Sequence, residues 1–266
     1  RPATARPAPR TELSLCGGRV TGHLAGRYAA IDTSWHKAGM LLLIGDGGAA
    51  GEGLLERLQS SLHFLSLAVA LPAVVRDASA YDASASLAAA RADLIAEVLE
   101  DVRQQSGGLH LLAIVGCGGG ADACLALVAS GLAPRGLARL AMVGGAYGAA
   151  ATGALGALPP SVEVLSIHGA ADEVAPLMRA QLYHARHPSH RLRTIEEGGH
   201  HFEGDAAVAA ATALNDWLEG ARRLNGDDIA NWRLPPDEPS AATRAPPPRW
   251  AVGGEEEEEE EEIRMV

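Results

Sequence analysis

The sequence predicts an α/β fold, with a mainly parallel central sheet and helices on both faces. Three observations favour this fold class. Short apolar runs alternate along the chain with segments of helical periodicity. Glycine-rich turns follow several of these runs, as they do where a strand leads into a helix. The chain has 266 residues with 47% apolar content and no repeat of solenoid period, which suits one large core with tails.

The first half of the domain begins with a predicted hairpin at the edge of the sheet. The predicted elements are this hairpin over 13–31, a strand over 40–44, a helix over 52–60, a strand over 64–70 and a helix over 85–104. The last helix has the clearest periodicity, with apolar residues at spacings of three and four on one face. Arg91 is the one residue in that apolar stripe that fits it poorly.

The second half continues the alternation of strands and helices. The predicted elements are a strand over 110–115, a helix over 122–130 opened by Asp122, strands over 137–143 and 162–168, a helix over 174–185, a strand over 191–195 and a helix over 206–219. We therefore assign the α/β domain to residues 13–220, between an arm at 1–12 and a tail at 221–266.

The segments on either side of this domain differ from it in composition. The arm begins RPATARPAPR, which is typical either of the trimmed end of a targeting segment or of a Pro/Ala arm. The tail contains many prolines and the run Glu255–Glu262, which together predict an extended conformation. Trp232 and Trp250 within it favour contact with a protein partner, and packing of both rings onto the domain is the alternative.

Charge and composition exclude several classes of function. The net charge is −11, of which Glu255–Glu262 supplies −8 and Arg264 supplies +1, so residues 1–254 carry only −4 and are a poor nucleic-acid binder. No apolar run reaches the length of a membrane span. The three cysteines form no disulfide framework. His184, His187 and His190 recur every third residue, but Pro188 interrupts the helix that would align them, so we expect no metal site and no cofactor.

The stretch His110–Ser130 contains the turn that bears most directly on function. The turn lies at the carboxyl end of a predicted strand, where α/β folds place their ligand sites. The dinucleotide loop G-x-G-x-x-G/A fits Gly116, Gly118 and Ala121, whereas Gly116 and Gly120 frame the nucleophile elbow G-x-S-x-G. The dinucleotide interpretation is the weaker one, because the loop follows a later strand and the next strand ends without an acid.

The elbow interpretation gains support from three other loops. The Gly45–Gly48 loop, HGAAD ending at Asp172, and GHHF over Gly199–Phe202 each follow a predicted strand. Together with the elbow they resemble the α/β-hydrolase superfamily, in which elbow, acid and histidine follow in this chain order.

The resemblance implies a role for each loop. An oxyanion loop is implied at Gly45, Asp46 and Gly47, and Gly119 follows the nucleophile position. The triad acid is implied at Asp172. The triad base is implied at His201, with His200 as the alternative because the histidine doublet leaves the register open.

Within the superfamily the chain resembles the bacterial virulence protein VirJ family over residues 40–218. Members of that family typically carry a GDGG loop after the first core strand, an elbow of the type G-Y-S-F-G-A-D and an ending of the type G-HHF-dG-D. The corresponding segments here are Gly45–Gly48, Gly116–Asp122 and Gly199–Asp205. The resemblance implies a periplasmic, hydrolase-like protein linked to secretion or to the hydrolysis of lipid headgroups. The arm and the tail have no counterpart in it.

The elbow departs from the superfamily at its central position. Gly118 has neither the hydroxyl nor the thiol that acyl transfer through a covalent intermediate requires. Cys117 is a poor substitute, because a shift of one residue at a tight turn directs a side chain elsewhere. We therefore predict a pseudo-hydrolase, a non-catalytic accessory or structural subunit of a larger assembly.

Two alternatives to the pseudo-hydrolase remain open. One is an active ester or lipid hydrolase that uses an atypical nucleophile or a water activated by His201 and Asp172. The other is a binding protein that holds a small ligand or a phosphate at the N-terminus of the helix after the elbow.

Overall fold

The computed structural model describes residues 11–25, 40–72, 85–106, 111–147, 158–187 and 190–224. The strands are β1 Thr11–Leu15, β2 Val20–Ala25, β3 Met40–Asp46, β4 Ser66–Leu71, β5 Leu111–Cys117, β6 Arg139–Val143, β7 Glu163–Gly169 and β8 Arg191–Ile195. The helices are α1 Ala49–Ser61, α2 Ala85–Ser106, α3 Gly119–Ala129, α4 Leu177–Arg186 and α5 Asp205–Leu224.

All eight strands form one sheet, in the order β1-β2-β4-β3-β5-β6-β7-β8. The strands from β4 to β8 pair in parallel, and the hairpin of β1 and β2 adds two antiparallel strands at one edge. This architecture confirms the predicted fold class, including the position of the hairpin at the edge.

Helices cover both faces of the sheet. Alternate residues of β3 point to opposite faces, so Leu42 and Ile44 pack with α2, α3 and α4, whereas Leu41 and Leu43 pack with α1 and α5. All four of these side chains are fully buried. The run of apolar residues in β3 is therefore that of a parallel strand covered on both sides.

Some element boundaries differ from those predicted from the sequence. Strand β1 begins at Thr11, inside the predicted arm, because Thr11 pairs with Leu24. Helix α3 begins at Gly119 rather than at Asp122, because Gly118 completes the whole change of direction in one residue. Helix α5 continues to Leu224, past the predicted domain boundary at 220. The rest of the arm and tail, including Trp232, Trp250 and Glu255–Glu262, lies outside the described residues.

None of the helices in the described parts of the chain combines the length and the apolar character needed to cross a membrane.

Candidate functional site

Four loops meet at the carboxyl edge of the parallel strands. They follow β3, β5, β7 and β8; Asp46 is the last residue of β3, and the other three loops contain Gly118, Asp172 and His200 respectively. The topology brings them together because the carboxyl ends of parallel strands meet at one edge of the sheet. The structure thus gathers the predicted loops into one region.

Gly118 forms the turn between β5 and α3. Its backbone has φ +56° and ψ −128°, a conformation that only glycine adopts without strain. Its N–H donates to the carbonyl of Val143 on β6 at 2.9 Å, and its own carbonyl accepts the N–H of Ala121 at 3.0 Å. The turn is therefore fixed on both sides, and Gly118, at the centre of the elbow predicted from the sequence, has no side chain.

Two other glycines of the turn are required by close packing. A Cβ on Gly116 would lie 2.5 Å from the Cα of Ala121, and a Cβ on Gly120 would lie 2.4 Å from the carbonyl oxygen of Ile44. Neither distance is compatible with a side chain. The spacing of these glycines thus lets α3 approach β5 and β3 closely. This packing explains the glycines without a bound phosphate.

Asp172 and His200 form a hydrogen-bonded acid–histidine pair. The Nδ1 of His200 lies 2.9 Å from the Oδ2 of Asp172, and it donates because an ionised carboxylate only accepts. The other oxygen of Asp172 accepts the N–H groups of Val174 at 3.0 Å and Ala175 at 2.7 Å. The Asp172 side chain is fully buried, so its charge depends on these donors.

The pKa of the Asp172 carboxyl is set by opposing effects. Burial alone would raise it, but the hydrogen bonds from His200 and from the Ala175 N–H, with the nearby imidazoles, lower the pKa below its ordinary value. The carboxylate is therefore ionised at neutral pH and holds the His200 ring in one orientation.

The hydrogen bond to Asp172 comes from His200, the alternative base of the sequence analysis, and not from His201. The His201 carbonyl accepts from Arg57 of α1 at 2.8 Å, and the next residue, Phe202, is fully buried with φ +46°. The backbone of Gly198 packs against Gly169, and a Cβ on Gly169 would lie 2.0 Å from the Gly198 carbonyl oxygen. These contacts fix the register of the loop and bring the first histidine of the doublet to the acid.

His168 supports the loop that contains Asp172. Its imidazole is fully buried, and its Nε2 donates to the carbonyl of Ala175 at 2.6 Å while lying 3.7 Å from the Asp172 carboxylate. The sequence analysis included His168 only as part of the HGAAD motif. A histidine inside an apolar strand was the signal for this role, because a buried imidazole needs a partner.

Asp46 lies beside the elbow at the end of β3. Its Oδ2 accepts the N–H of Gly119 at 2.7 Å, and its Oδ1 accepts from the Nη1 of Arg91 at 2.6 Å. Arg91 is the charged residue that interrupted the apolar stripe of α2, and this ion pair explains its position. The sequence analysis noted the irregularity but did not assign Arg91 to the site.

A cleft of about 270 Å³ lies between the loops that follow β3, β5 and β8. Asp46, His200 and His201 supply its polar lining, and Gly47 also lines it. Gly45 belongs to β3 and does not line the cleft. Leu55 of α1 fills the space that a side chain at residue 45 would need. The cleft is large enough for a small ligand.

Cys117 also lines the cleft, but its side chain is buried. Cys117 is buried at the end of β5 and packs in the core beneath α1 and α5. Burial, reinforced by the charge of Asp46, raises the pKa of the thiol to about 12. A thiolate is the nucleophilic form of cysteine, so this side chain does not supply one at neutral pH.

Within the described ranges, no group of three or more His, Cys, Asp or Glu side chains is arranged to hold a metal ion. The Nδ1 of His184 donates to the carbonyl of His190 at 3.0 Å, and the Nδ1 of His190 forms a hydrogen bond with the hydroxyl of Tyr183 at 2.8 Å.

Comparison with known proteins identifies the fold. No model of a known protein family matches the chain, and no curated protein sequence matches it. Solved structures do match. A dienelactone hydrolase from Anabaena variabilis has a TM-score of 0.56 at 21% identity, covering 80% of this chain and 98% of that one.

Two further structures have the same architecture. A putative α/β-hydrolase from Agrobacterium tumefaciens has a TM-score of 0.56 at 17% identity, covering 86% of this chain and 100% of its own. Est1E from Butyrivibrio proteoclasticus has a TM-score of 0.57 at 13% identity, covering 79% and 98%. At these identities the likeness shows the fold alone. The chain therefore has the α/β-hydrolase fold.

Proposed function

We propose that this chain uses the α/β-hydrolase fold without hydrolysing esters, as an accessory or structural subunit of a larger assembly. One observation carries the proposal: the residue at the elbow, whose backbone angles only glycine adopts without strain, is Gly118, which has no atom that can attack a carbonyl carbon. The neighbouring thiol of Cys117 is buried and protonated. The acid–histidine pair therefore stands beside a position that has no nucleophile.

The pair has a structural role that does not depend on catalysis. Asp172 joins the loop after β7 to the loop after β8 through His200, and backbone bonds from Ala170 to Ile195 and from Ala171 to Gly198 join the same loops. A buried carboxylate with three donors is costly to disrupt. The cost of losing these hydrogen bonds is enough to explain why a non-catalytic domain contains the acid–histidine pair.

Ester turnover tests this proposal. We would measure hydrolysis of p-nitrophenyl acetate and labelling by a fluorophosphonate probe in the wild type, in Gly118→Ser and in Gly118→Ser/His200→Ala. Gly118→Ser/His201→Ala is the matched control, because His201 lies next to the pair without bonding to Asp172.

We expect the wild type to be silent and Gly118→Ser to be labelled. The His200 change should abolish that labelling and the His201 change should not. Turnover by the wild type that survives Cys117→Ala but is lost in His200→Ala would replace the proposal with a hydrolase that uses an activated water.

A second candidate is a binding protein for a small ligand, and the cleft of about 270 Å³ favours it. Its lining combines the Asp46 carboxylate and two imidazoles with apolar side chains such as Leu54. Binding of a ligand in this cleft would shift the amide resonances of Gly47 and Gly118, whereas binding of a protein partner elsewhere would leave them in place.

The partner surface is proposed to include the C-terminal tail. Trp232, Trp250 and the acidic run Glu255–Glu262 support this, since aromatic anchors between charged residues are typical of binding segments. We expect the full chain to form a complex in native extracts that a Trp232→Ala/Trp250→Ala variant loses while retaining the thermal stability of the wild type. A parallel loss of stability would instead indicate that both rings pack onto the domain.

A more specific relationship to the VirJ family is also proposed. The Gly45–Gly48 loop and the ending Gly199–Asp205 support it, because both motifs stand at the candidate site. The periplasmic location and the lipid-headgroup chemistry of that family come to this chain only through the resemblance.

A further inference from the structure

The backbone N–H of Gly119 is the donor on which the inference depends. In the hydrolase arrangement, the N–H of the residue after the nucleophile stabilises the oxyanion of the tetrahedral intermediate. Gly119 is that residue, and it opens helix α3, whose N-terminus also favours negative charge. Here the N–H already has an anionic acceptor, the Oδ2 of Asp46 at 2.7 Å.

Arg91 holds the Asp46 carboxylate in this place. Its Nη1 lies 2.6 Å from the Oδ1 of Asp46, and the arginine side chain is only 7% exposed whereas that of Asp46 is 37% exposed. A guanidinium so deeply buried requires a counter-charge close by. Asp46 supplies that charge through its Oδ1, and its Oδ2 accepts the hydrogen bond from the Gly119 N–H.

The carboxylate also lies next to the nucleophile position. A Cβ built on Gly118 would lie 3.3 Å from the Oδ2 of Asp46. The oxygen therefore lies in close contact with the position that a side chain at residue 118 would occupy, at a distance shorter than an ordinary van der Waals contact.

We propose that the Gly119 N–H and the Arg91 guanidinium form an anion site that Asp46 occupies in place of a substrate oxyanion. The inference rests on the proposed non-catalytic function and deepens it. The site then lacks activity for two independent reasons, since it has no nucleophile and its oxyanion donor is taken. A small carboxylate such as formate is the ligand that fits this site once Asp46 is removed.

Removal of the carboxylate in a background that has a nucleophile tests the first consequence. We would compare kcat/KM for p-nitrophenyl acetate between Gly118→Ser and Gly118→Ser/Asp46→Ala. One oxyanion donor contributes about 10²–10³-fold in rate, so we expect a rise of about that size in the double variant. Equal rates in the two variants, with both folded, would overturn the proposal.

A binding measurement tests the anion site without any turnover. Asp46→Ala leaves the buried Arg91 without its counter-charge, and sodium formate should restore the lost Tm where sodium chloride at the same ionic strength does not. We expect a rise of about 3 °C or more at ten times the dissociation constant of formate. Asp46→Ala/Arg91→Met is the matched control, since it removes the guanidinium as well and should gain nothing from formate.

The absence of a formate-specific rise in Asp46→Ala would overturn the proposal even if every serine-containing variant is silent. This outcome is separate from that of the proposed function, whose non-catalytic part fails if the wild type itself turns over the ester.

Discussion

The packing of α3 against β3 predicts a large effect of a very small substitution, Gly120→Ala. The added Cβ would lie 2.4 Å from the carbonyl oxygen and 2.9 Å from the carbonyl carbon of Ile44, and 3.1 Å from the Cα of Gly45. All three atoms belong to the backbone of a central strand, so no side chain can rotate away. The helix would have to move off the sheet to relieve the contact.

The expected loss follows from the two opposing contributions. Overpacking of a core costs about 1–3 kcal/mol, and contact with fixed backbone places this site at about 3 kcal/mol. Alanine gains about 1 kcal/mol over glycine in a helix, which leaves a net loss of about 2 kcal/mol in the free energy of unfolding. For a domain of this size that corresponds to a Tm lower by about 4–8 °C.

Gly53→Ala is the matched control, because Gly53 also lies in a helix. The nearest atom to its added Cβ is the Nη1 of Arg57 at 3.1 Å, which belongs to the end of a long side chain and not to the backbone, so a shift of a few tenths of an ångström relieves the contact. We expect this variant to be neutral or more stable by up to about 1 kcal/mol. Urea and thermal unfolding followed by circular dichroism would measure both variants. If Gly120→Ala is as stable as Gly53→Ala, the close approach of α3 to β3 is wrong.

Three further results are expected. Because the pKa of Asp172 is lowered in the folded state, its stabilising effect is present above the ordinary carboxyl pKa of about 4 and is lost as the pH falls through the folded value. The urea midpoints of the wild type and Asp172→Asn should therefore converge below pH 4, and a constant difference between them would contradict this. Burial and two neighbouring imidazoles lower the pKa of His190 to about 4. Unfolding therefore takes up a proton between pH 6.5 and 4, and the free energy of unfolding falls on acidification across that window. His190→Gln should flatten this part of the plot of unfolding free energy against pH, and an unchanged slope would count against the prediction. Of the three thiols, the half-buried Cys16 should react with Ellman's reagent in the native protein, whereas Cys117 and Cys124 are buried and should react only on unfolding; native modification of either buried thiol, identified by mass spectrometry, would show that the core opens at the elbow.

The sequence predicted most of the sheet because its strands are unusually uniform. Both faces of β3 and β5 are covered, so each strand is an uninterrupted apolar run that periodicity analysis finds easily. Helix starts were harder to predict. Asp122 looked like the first residue of α3, but glycine at 118 allows the helix to begin at Gly119, where no side chain indicates a start.

The candidate site was predictable in its loops and not in its contacts. The chain order of the elbow, the acid and the histidines fixed which loops would meet. The choice between His200 and His201 depended on the burial of Phe202, which sequence spacing does not reveal. The partner of Arg91 lies 45 residues away on another element, so the sequence could show only that a charge stood in an apolar stripe.

The backbone angles of Gly118 bear on how this protein can change by mutation. Glycine adopts φ +56° at little cost, whereas a side chain held in such a region stores about 1–3 kcal/mol of strain. A serine at this position would therefore lower the free energy of unfolding. Asp46 would still accept the Gly119 N–H and so keep any new ester-hydrolysing activity low. Under the function proposed above, a serine at residue 118 and the removal of the Asp46 carboxylate would both be needed for full esterase activity, and neither change would be beneficial alone.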